Sequence, residues 1–328
     1  MKEADLTIPS KCLIIIGMHR SGTSFTASVL QKAGLSIGDK LVAASVGNEL
    51  GHFENEDFYD FHKKVLSNHS FHNDGWTKQS LQDLYPEEEA QARSIVSQNQ
   101  TEQWGWKDPR TTLFLNFWKK IIPDANFLFI YRKPWEVADS LFRRNNDKEF
   151  ALDPSSAIDV WNYYNHEILS FYEKHKERSV LLDIENIIYE TRSVIDLLNE
   201  RFNFSLKTDF QNTFNSGKFV NDQNPIGKVF TETAFPKSIT LYQQLQKQST
   251  IAPFKAYEHS NLALDIVANW WYDSTQIQKI LNKNQELVNS LNAHITGLNH
   301  QLNDSVYELN WIKNSKWWKL RNWLKNLI

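Results

Sequence analysis

Apolar and polar positions alternate along the chain in a repeating unit. Lys11 to Ile16 is a short apolar run closed by Gly17, and Ser21 to Lys32 follows with helix-compatible spacing. That order predicts a buried strand, a tight turn and a helix. Phe127 to Tyr131 predicts a second buried strand, and Pro134, suited to a first helical turn, opens a helix that runs to Arg144. Val180 to Ile184 followed by Glu185 to Phe202 is a third copy, and Gln103 to Trp106, just before Lys107, is a fainter strand. Strands that are apolar throughout rather than alternating belong to a parallel sheet covered on both faces, so the pattern predicts an α/β fold.

The pattern changes twice toward the C-terminus. Residues 207 to 260 are polar, with one clear helix at Lys237 to Gln248, and read as the ragged end of a first domain spanning 1–260. From Gln276 onward glycine and proline nearly vanish. Apolar positions then alternate at spacings of four and three, from Ile277 through Leu281, Val288, Leu291 and Ile295 to Ile312, with polar Asn284 in the seam. This is the period of a left-handed coiled coil, in which a polar seam residue fixes register or strand number. A coiled-coil helix over 275–312 and a homo-oligomer formed through it are therefore expected.

Composition narrows the class. With 328 residues and 41% hydrophobic content the chain can bury a substantial core. Its single cysteine, Cys12, lies in an apolar run and allows no disulfide framework, which favours a reducing compartment. Glu3, Asp5 and a short N-terminal apolar stretch do not resemble a secretory signal. No stretch approaches the ~20 apolar residues of a membrane-spanning helix. A cytoplasmic protein is expected. The net charge is −3, yet residues 313–328 carry Lys313, Lys316, Lys319, Arg321 and Lys325 with no acid, so the remainder is more acidic than the whole. A body of that sign is a poor general binder of nucleic acid. The tail, with Trp317, Leu320, Leu324, Leu327 and Ile328 on one side, reads as a basic amphipathic helix suited to peripheral contact with the inner face of a membrane.

Chemistry enters at Gly17-Met-His-Arg-Ser-Gly-Thr-Ser24, between the first strand and its helix. Backbone N–H groups and a helix N-terminus make such a place an anion site. The spacing matches the nucleotide-binding P-loop except that Thr23 replaces the lysine that reaches the β- and γ-phosphates. Without that lysine, and with no clear magnesium carboxylate, hydrolysis of ATP or GTP is disfavoured. The cation comes earlier, as Arg20, whose fork of donors suits a phosphate-like group. The fold class is then a P-loop-type parallel sheet sandwiched between helices, plus the C-terminal coil.

At these residues the sequence resembles the sulfotransferases that use 3′-phosphoadenosine-5′-phosphosulfate (PAPS). In that family a basic residue followed by Ser-Gly-Thr-[ST] holds the 5′-phosphosulfate, and Arg20, Ser21, Gly22, Thr23 and Ser24 meet the pattern. A strand-end arginine with a serine eight residues later binds the 3′-phosphate, and Arg132 and Ser140 keep that spacing. Trp106-Lys-Asp-Pro-Arg110 resembles the Lys-Asp-Pro segment of tyrosylprotein sulfotransferases and bacterial glycan enzymes, which implies that Lys107 faces the transferring group. The resemblance covers roughly residues 11–205 and is specific in motifs and weak between them.

The resemblance implies in-line transfer of a sulfuryl group to a hydroxyl or amine of an acceptor, a glycan or lipid-linked saccharide in the bacterial relatives. Charge builds on the bridging oxygen of the departing 3′,5′-ADP, where Arg20, Lys107 and the loop amides are the candidate donors. No metal is expected: His69 and His72 have ligand-like spacing but lack supporting Cys or acidic partners and read as surface residues. The acceptor hydroxyl needs a general base. Glu54 is the first candidate on the relatives' pattern of glycine, aromatic residue and glutamate after the first helix, with His52 second and Glu49 third. The rivals are a P-loop kinase or NTPase and a non-catalytic coiled-coil scaffold with a nucleotide-binding domain.

Overall fold

Strand pairing begins where the sequence is most apolar. In the computed structural model, which describes residues 10–43, 51–81, 83–144, 150, 153–209, 225–260 and 264–325, β1 (Lys11–Ile16) lies at the centre of a parallel sheet. It pairs with β2 (Gln103–Lys107) on one side and β3 (Asn126–Tyr131) on the other, and β3 pairs with β4 (Ser179–Asp183). The order is β2-β1-β3-β4. The chain leaves β1 toward β2 and later returns to β3 on the opposite side, so the carboxyl ends of β1 and β3 open a crevice of the kind that binds ligands in such sheets.

Helices cover both faces, as apolar strands require. They are α1 (Thr23–Lys32), α2 (Glu56–Asn68), α3 (Pro86–Asn99), α4 (Leu115–Ile121), α5 (Pro134–Arg144), α6 (Ser155–Lys174), α7 (Ile184–Tyr189), α8 (Thr191–Phe202), α9 (Pro225–Ala234) and α10 (Pro236–Gln248). One face packs Ile14, Trp106, Phe127 and Phe129 against Phe58 and Phe61 of α2, Trp118 of α4, Trp161 and Tyr164 of α6 and Tyr242 of α10. The other packs Leu13, Ile15, Leu128, Ile130 and Leu182 against Val29 and Leu30 of α1, Ile187 of α7 and Val194 and Leu198 of α8. Cys12 is buried in the first core, where burial pushes its thiol pKa up. Each outer strand is bridged from outside at one point. Ser36 N–H donates to Gln103 O and Ser36 O accepts from Gly105 N–H along β2, while Thr250 N–H donates to Leu181 O and its Oγ1 accepts from Leu181 N–H (3.0 Å) along β4.

The expected strand-helix units are present, with two differences. The first helix begins at Thr23 rather than Ser21, because Arg20 (φ 68°) and Gly22 (φ 92°) take left-handed backbone just before it. The segment after β4 is two helices rather than one: the chain breaks at Glu190 (φ −125°, ψ 32°), and Asn186 Nδ2 spans the break, donating to Glu190 Oε2 (2.8 Å) and to Ala252 O (3.0 Å).

The chain forms two compact units, Met1–Asn261 and Leu262–Ile328. The second consists of α11 (Leu264–Asn314), 51 residues and about 75 Å long, and α12 (Lys316–Lys325). The seam of apolar residues is exposed on α11, from 41% at Ile312 to 60% at Leu302. The expected tail residues Leu327 and Ile328, the N-terminal Glu3 and Asp5, and Glu49 lie outside the described residues. Among the described residues no helix is long and apolar enough to cross a membrane.

Candidate active site

The loop after β1 is shaped by its glycines. A Cβ on Gly17 would meet Ile130 O of β3 at 2.3 Å, so only glycine lets the chain turn while pressed against the neighbouring strand. Ser21 N–H closes the turn on Met18 O (3.1 Å), and Gly22 leads into α1 without a side-chain cap, which leaves the helix N-terminus open to an anion. Thr23 is buried, Ser24 is half-buried, and Ser21 Oγ is buried without a hydrogen-bond partner among the described residues.

Across the crevice, Arg132 directly follows the last residue of β3, and α5 begins two residues later at Pro134. Two turns into α5, Ser140 Oγ accepts a hydrogen bond from Arg20 Nε at 2.9 Å. Arg132 donates from one terminal nitrogen to Arg20 O (3.3 Å) and from Nε to Glu136 Oε2 (2.7 Å). Three residues expected to bind anions, 112 and 120 positions apart, thus meet at the mouth of the loop. Glu136, which the sequence reading did not single out, balances Arg132 and also pairs with Lys133 at 3.2 Å.

A second cluster forms at the end of β2. Asp108 is extended and caps Arg110 N–H (2.9 Å), and Pro109 starts a 3₁₀ turn. Lys107 closes β2 and Arg110 lies in the 3₁₀ turn after it, and both side chains reach toward the same carboxylate. Lys107 Nζ donates to Glu54 Oε1 at 2.8 Å with both groups buried, and Arg110 stands 4.0 Å from Glu54 Oε2. Glu54 enters this position through Phe53, whose φ of 53° is rare for a bulky side chain. It is fixed there by the bond from Val42 N–H to Glu54 O and by Asn55, which caps α2. His52 is half-buried two residues earlier.

Behind Arg110 the cluster continues into the core. Arg110 contacts Asp108 (3.0 Å) and Asp74 (3.2 Å). Asp108 Oδ2 lies 2.8 Å from His62 Nδ1, and Trp118 Nε1 donates to His62 Nε2 at 2.9 Å. An indole N–H can only donate, so the proton of His62 sits on Nδ1 and points at Asp108. Burial works to raise the pKa of Asp108, but Arg110 and the His62 hydrogen bond outweigh it and hold the carboxyl well below its ordinary range. Asp108 stood in the Lys-Asp-Pro motif without a role of its own, and His62, Trp118 and Asp74 escaped the sequence reading, because nothing local signals a partner 46 or 56 positions away.

With this geometry in place, comparison with known proteins is decisive for the family. The model of the sulfotransferase family matches residues 13–203, more than half of the chain. The chain belongs to the sulfotransferase family. Similar solved structures include the sulfotransferase of Alicyclobacillus acidocaldarius (15% identity, covering 72% of this chain and 95% of that one, TM-score 0.43). Others are the sulfotransferase domain of the Synechococcus PCC 7002 olefin synthase (17%, 81% and 95%, 0.38) and the sulfotransferase domain of the curacin biosynthetic pathway (15%, 61% and 75%, 0.38). No curated protein sequence matches.

In this sulfotransferase, His69 bonds Glu88 at 3.0 Å and stacks on Tyr85, while His72 is exposed. Among the described residues no group of His, Cys, Asp or Glu side chains is arranged to hold a metal ion.

One further acid marks the strand ends. Asp183, at the end of β4, caps Glu185 N–H and accepts from Tyr242 OH at 3.3 Å. Burial, aided by the nearby Glu185 carboxylate, pushes its pKa up to about 7 against the opposing backbone hydrogen bond. Folded protein therefore holds this proton from about pH 4 to 7 while the unfolded chain releases it, so stability falls as pH rises through that window and is level above it. Asp183→Asn, which can keep the cap, is expected to remove this decline. Urea unfolding at pH 5 and pH 8 should show a fall smaller than wild type by on the order of 2 kcal/mol.

Proposed function

We propose that this sulfotransferase moves a sulfuryl group from PAPS to a hydroxyl of a glycan or lipid-linked saccharide, without a metal. The observation that carries the donor reading is the meeting of Arg20, Ser140 and Arg132 at the open N-terminus of α1. Arginine forks at the ends of two adjacent strands suit a ligand bearing two separate anionic groups. The unpartnered Ser21 hydroxyl and the uncapped helix fit the 5′-phosphosulfate, with Arg20, Thr23 and Ser24 beside it, and Arg132 with Ser140 fits the 3′-phosphate.

PAPS supplies an activated sulfuryl group whose leaving oxygen gathers negative charge. Buried Lys107 and half-buried Arg20 are the donors for that charge, preset before the reaction. Glu54 is the base: the hydrogen bond from Lys107 Nζ fixes the direction of its carboxylate. His52 is the alternative.

The protein is proposed to be cytoplasmic and to self-associate through α11, whose exposed seam is self-complementary. Asn284 meets its own copy only when two helices run parallel and in register, and that pairing hides the apolar side chains on both. The basic α12, with Trp317 81% exposed, is proposed to touch the inner face of the membrane.

Three outcomes are expected. In calorimetry, wild type should prefer 3′,5′-ADP to 5′-AMP, and Arg132→Ala should cost on the order of 2–4 kcal/mol against the former while barely altering the latter, with Ser140→Ala losing less. Equal binding of both nucleotides by wild type would dismiss PAPS as donor. Glu54→Gln should lower turnover by about 10²- to 10⁴-fold with nucleotide affinity retained; a near-normal Glu54→Gln beside a crippled His52→Ala would move the base to the histidine. Removing residues 275–328 should abolish self-association in sedimentation and flotation with anionic liposomes, leaving nucleotide binding intact. An unchanged mass would refute the parallel coil, and unchanged flotation would refute the membrane contact.

A further inference from the structure

Arg132 is the first rung of a ladder of buried charges. Its Nε donates to Glu136 Oε2 at 2.7 Å, Lys133 Nζ stands 3.2 Å from the other oxygen of Glu136, and the same Lys133 donates to Glu185 Oε1 at 2.7 Å. Cations and acids thus alternate from the end of β3 to α7. Each of the four residues is at most 9% exposed.

Stability does not call for such a ladder. Each buried charge costs several kcal/mol to desolvate, and apolar side chains of similar volume would serve the fold as well. The backbone at both ends is held by other means. Trp161 Nε1 donates to Arg132 O at 3.0 Å, and Asp183 caps Glu185 N–H at 2.9 Å. What the ion contacts add is the direction in which the charged groups point.

The Glu136 carboxylate is shared between two cations. One oxygen takes a directed hydrogen bond from Arg132, and the other faces Lys133 as an ion contact without hydrogen-bond geometry. A carboxylate and a guanidinium left to themselves favour two parallel bonds, with both oxygens on the fork. That pairing would turn the donors of Arg132 away from the phosphate loop. Lys133 holds back one oxygen of Glu136, and Glu185 keeps Lys133 from taking both. Arg132 is thereby left with a terminal nitrogen directed at Arg20 O (3.3 Å), at the mouth of the loop.

We propose that Lys133 and Glu185 are positioning residues for the 3′-phosphate: acting through Glu136, they keep the fork of Arg132 open to that group. This rests on the donor reading above and extends it to two residues that do not themselves touch the nucleotide. Their effect falls on selectivity between nucleotides and leaves the transfer step alone.

The test is calorimetry on the full chain with 3′,5′-ADP and 5′-AMP as probes. Glu185→Met removes the acid at similar volume, so that Lys133 closes on Glu136 and draws it off Arg132. Affinity for 3′,5′-ADP should fall about fivefold to tenfold, affinity for 5′-AMP should stay as in wild type, and the KM for PAPS should rise with kcat retained. Glu185→Gln keeps an acceptor for Lys133 and should bind 3′,5′-ADP within about twofold of wild type. A plain field effect has the opposite sign, because removing a negative charge near a dianion tightens its binding. Lys133→Met combined with Glu185→Met leaves neither charge buried alone; Glu136 then closes on Arg132 with both oxygens, and 3′,5′-ADP should weaken at least as much. Unchanged or tighter 3′,5′-ADP binding by folded Glu185→Met, or unchanged binding by the double variant, overturns the proposal and leaves the PAPS reading in place. Equal binding of the two nucleotides by wild type removes both.

Discussion

The buried ion pair of Lys107 and Glu54 is the constraint around which the rest of the site is arranged. Taking an ammonium and a carboxylate out of water costs several kcal/mol each, and their attraction repays this only when the geometry is good and the remaining polar atoms are satisfied. A hydrophobic pair in the same space would serve stability as well or better. The fold instead devotes a strand end, a 3₁₀ turn and a kink at Phe53 to bringing the two charges to 2.8 Å. Arg110 would add an uncompensated cation beside them, and Asp108 and Asp74 neutralise it. Asp108 in turn is aimed by His62, and His62 by Trp118, whose ring leans at a steep angle against the stacked pair Phe58 and Trp106. Aromatic packing in the core therefore sets the direction of the buried Asp108 carboxylate that steadies Arg110.

The crevice divides its work between strands. The ends of β1 and β3 bring arginines together, each steadied by a neighbour that keeps it from collapsing onto the wrong partner: Ser140 for Arg20 and Glu136 for Arg132. The end of β2 brings a lysine and an arginine to acids. In our proposal the first edge holds anions and the second moves a proton, and the parallel register, with Ile15 opposite Lys107 and Ile16 opposite Phe129, fixes the spacing between them.

How much of this was legible depended on the range of the interaction. β1, β3 and α5 could be read because burial on both faces demands uninterrupted apolar strands, and Gly17 and Pro134 mark their ends. Arg20, Lys107, Arg132 and Ser140 could be singled out because their motifs are local. α2, α3 and α6 were not read: their buried positions, such as Phe58, Phe61 and Val65 on α2, are interleaved with charges. Glu54 was one of three acidic or imidazole candidates in one stretch, and only its contact with Lys107 separates it from His52.

The single-point bridges on the two outer strands have a wider consequence. A parallel sheet with bare edges is a template on which a second chain can pair, the first step toward uncontrolled polymerisation. Ser36 occupies the donor and acceptor of Gln103 and Gly105 on one flank, and Thr250 occupies those of Leu181 on the other. An incoming strand would find its hydrogen bonds already taken midway along each short edge. Loosening of the segment around Ser36 or Thr250 would therefore show itself first as loss of solubility at high protein concentration.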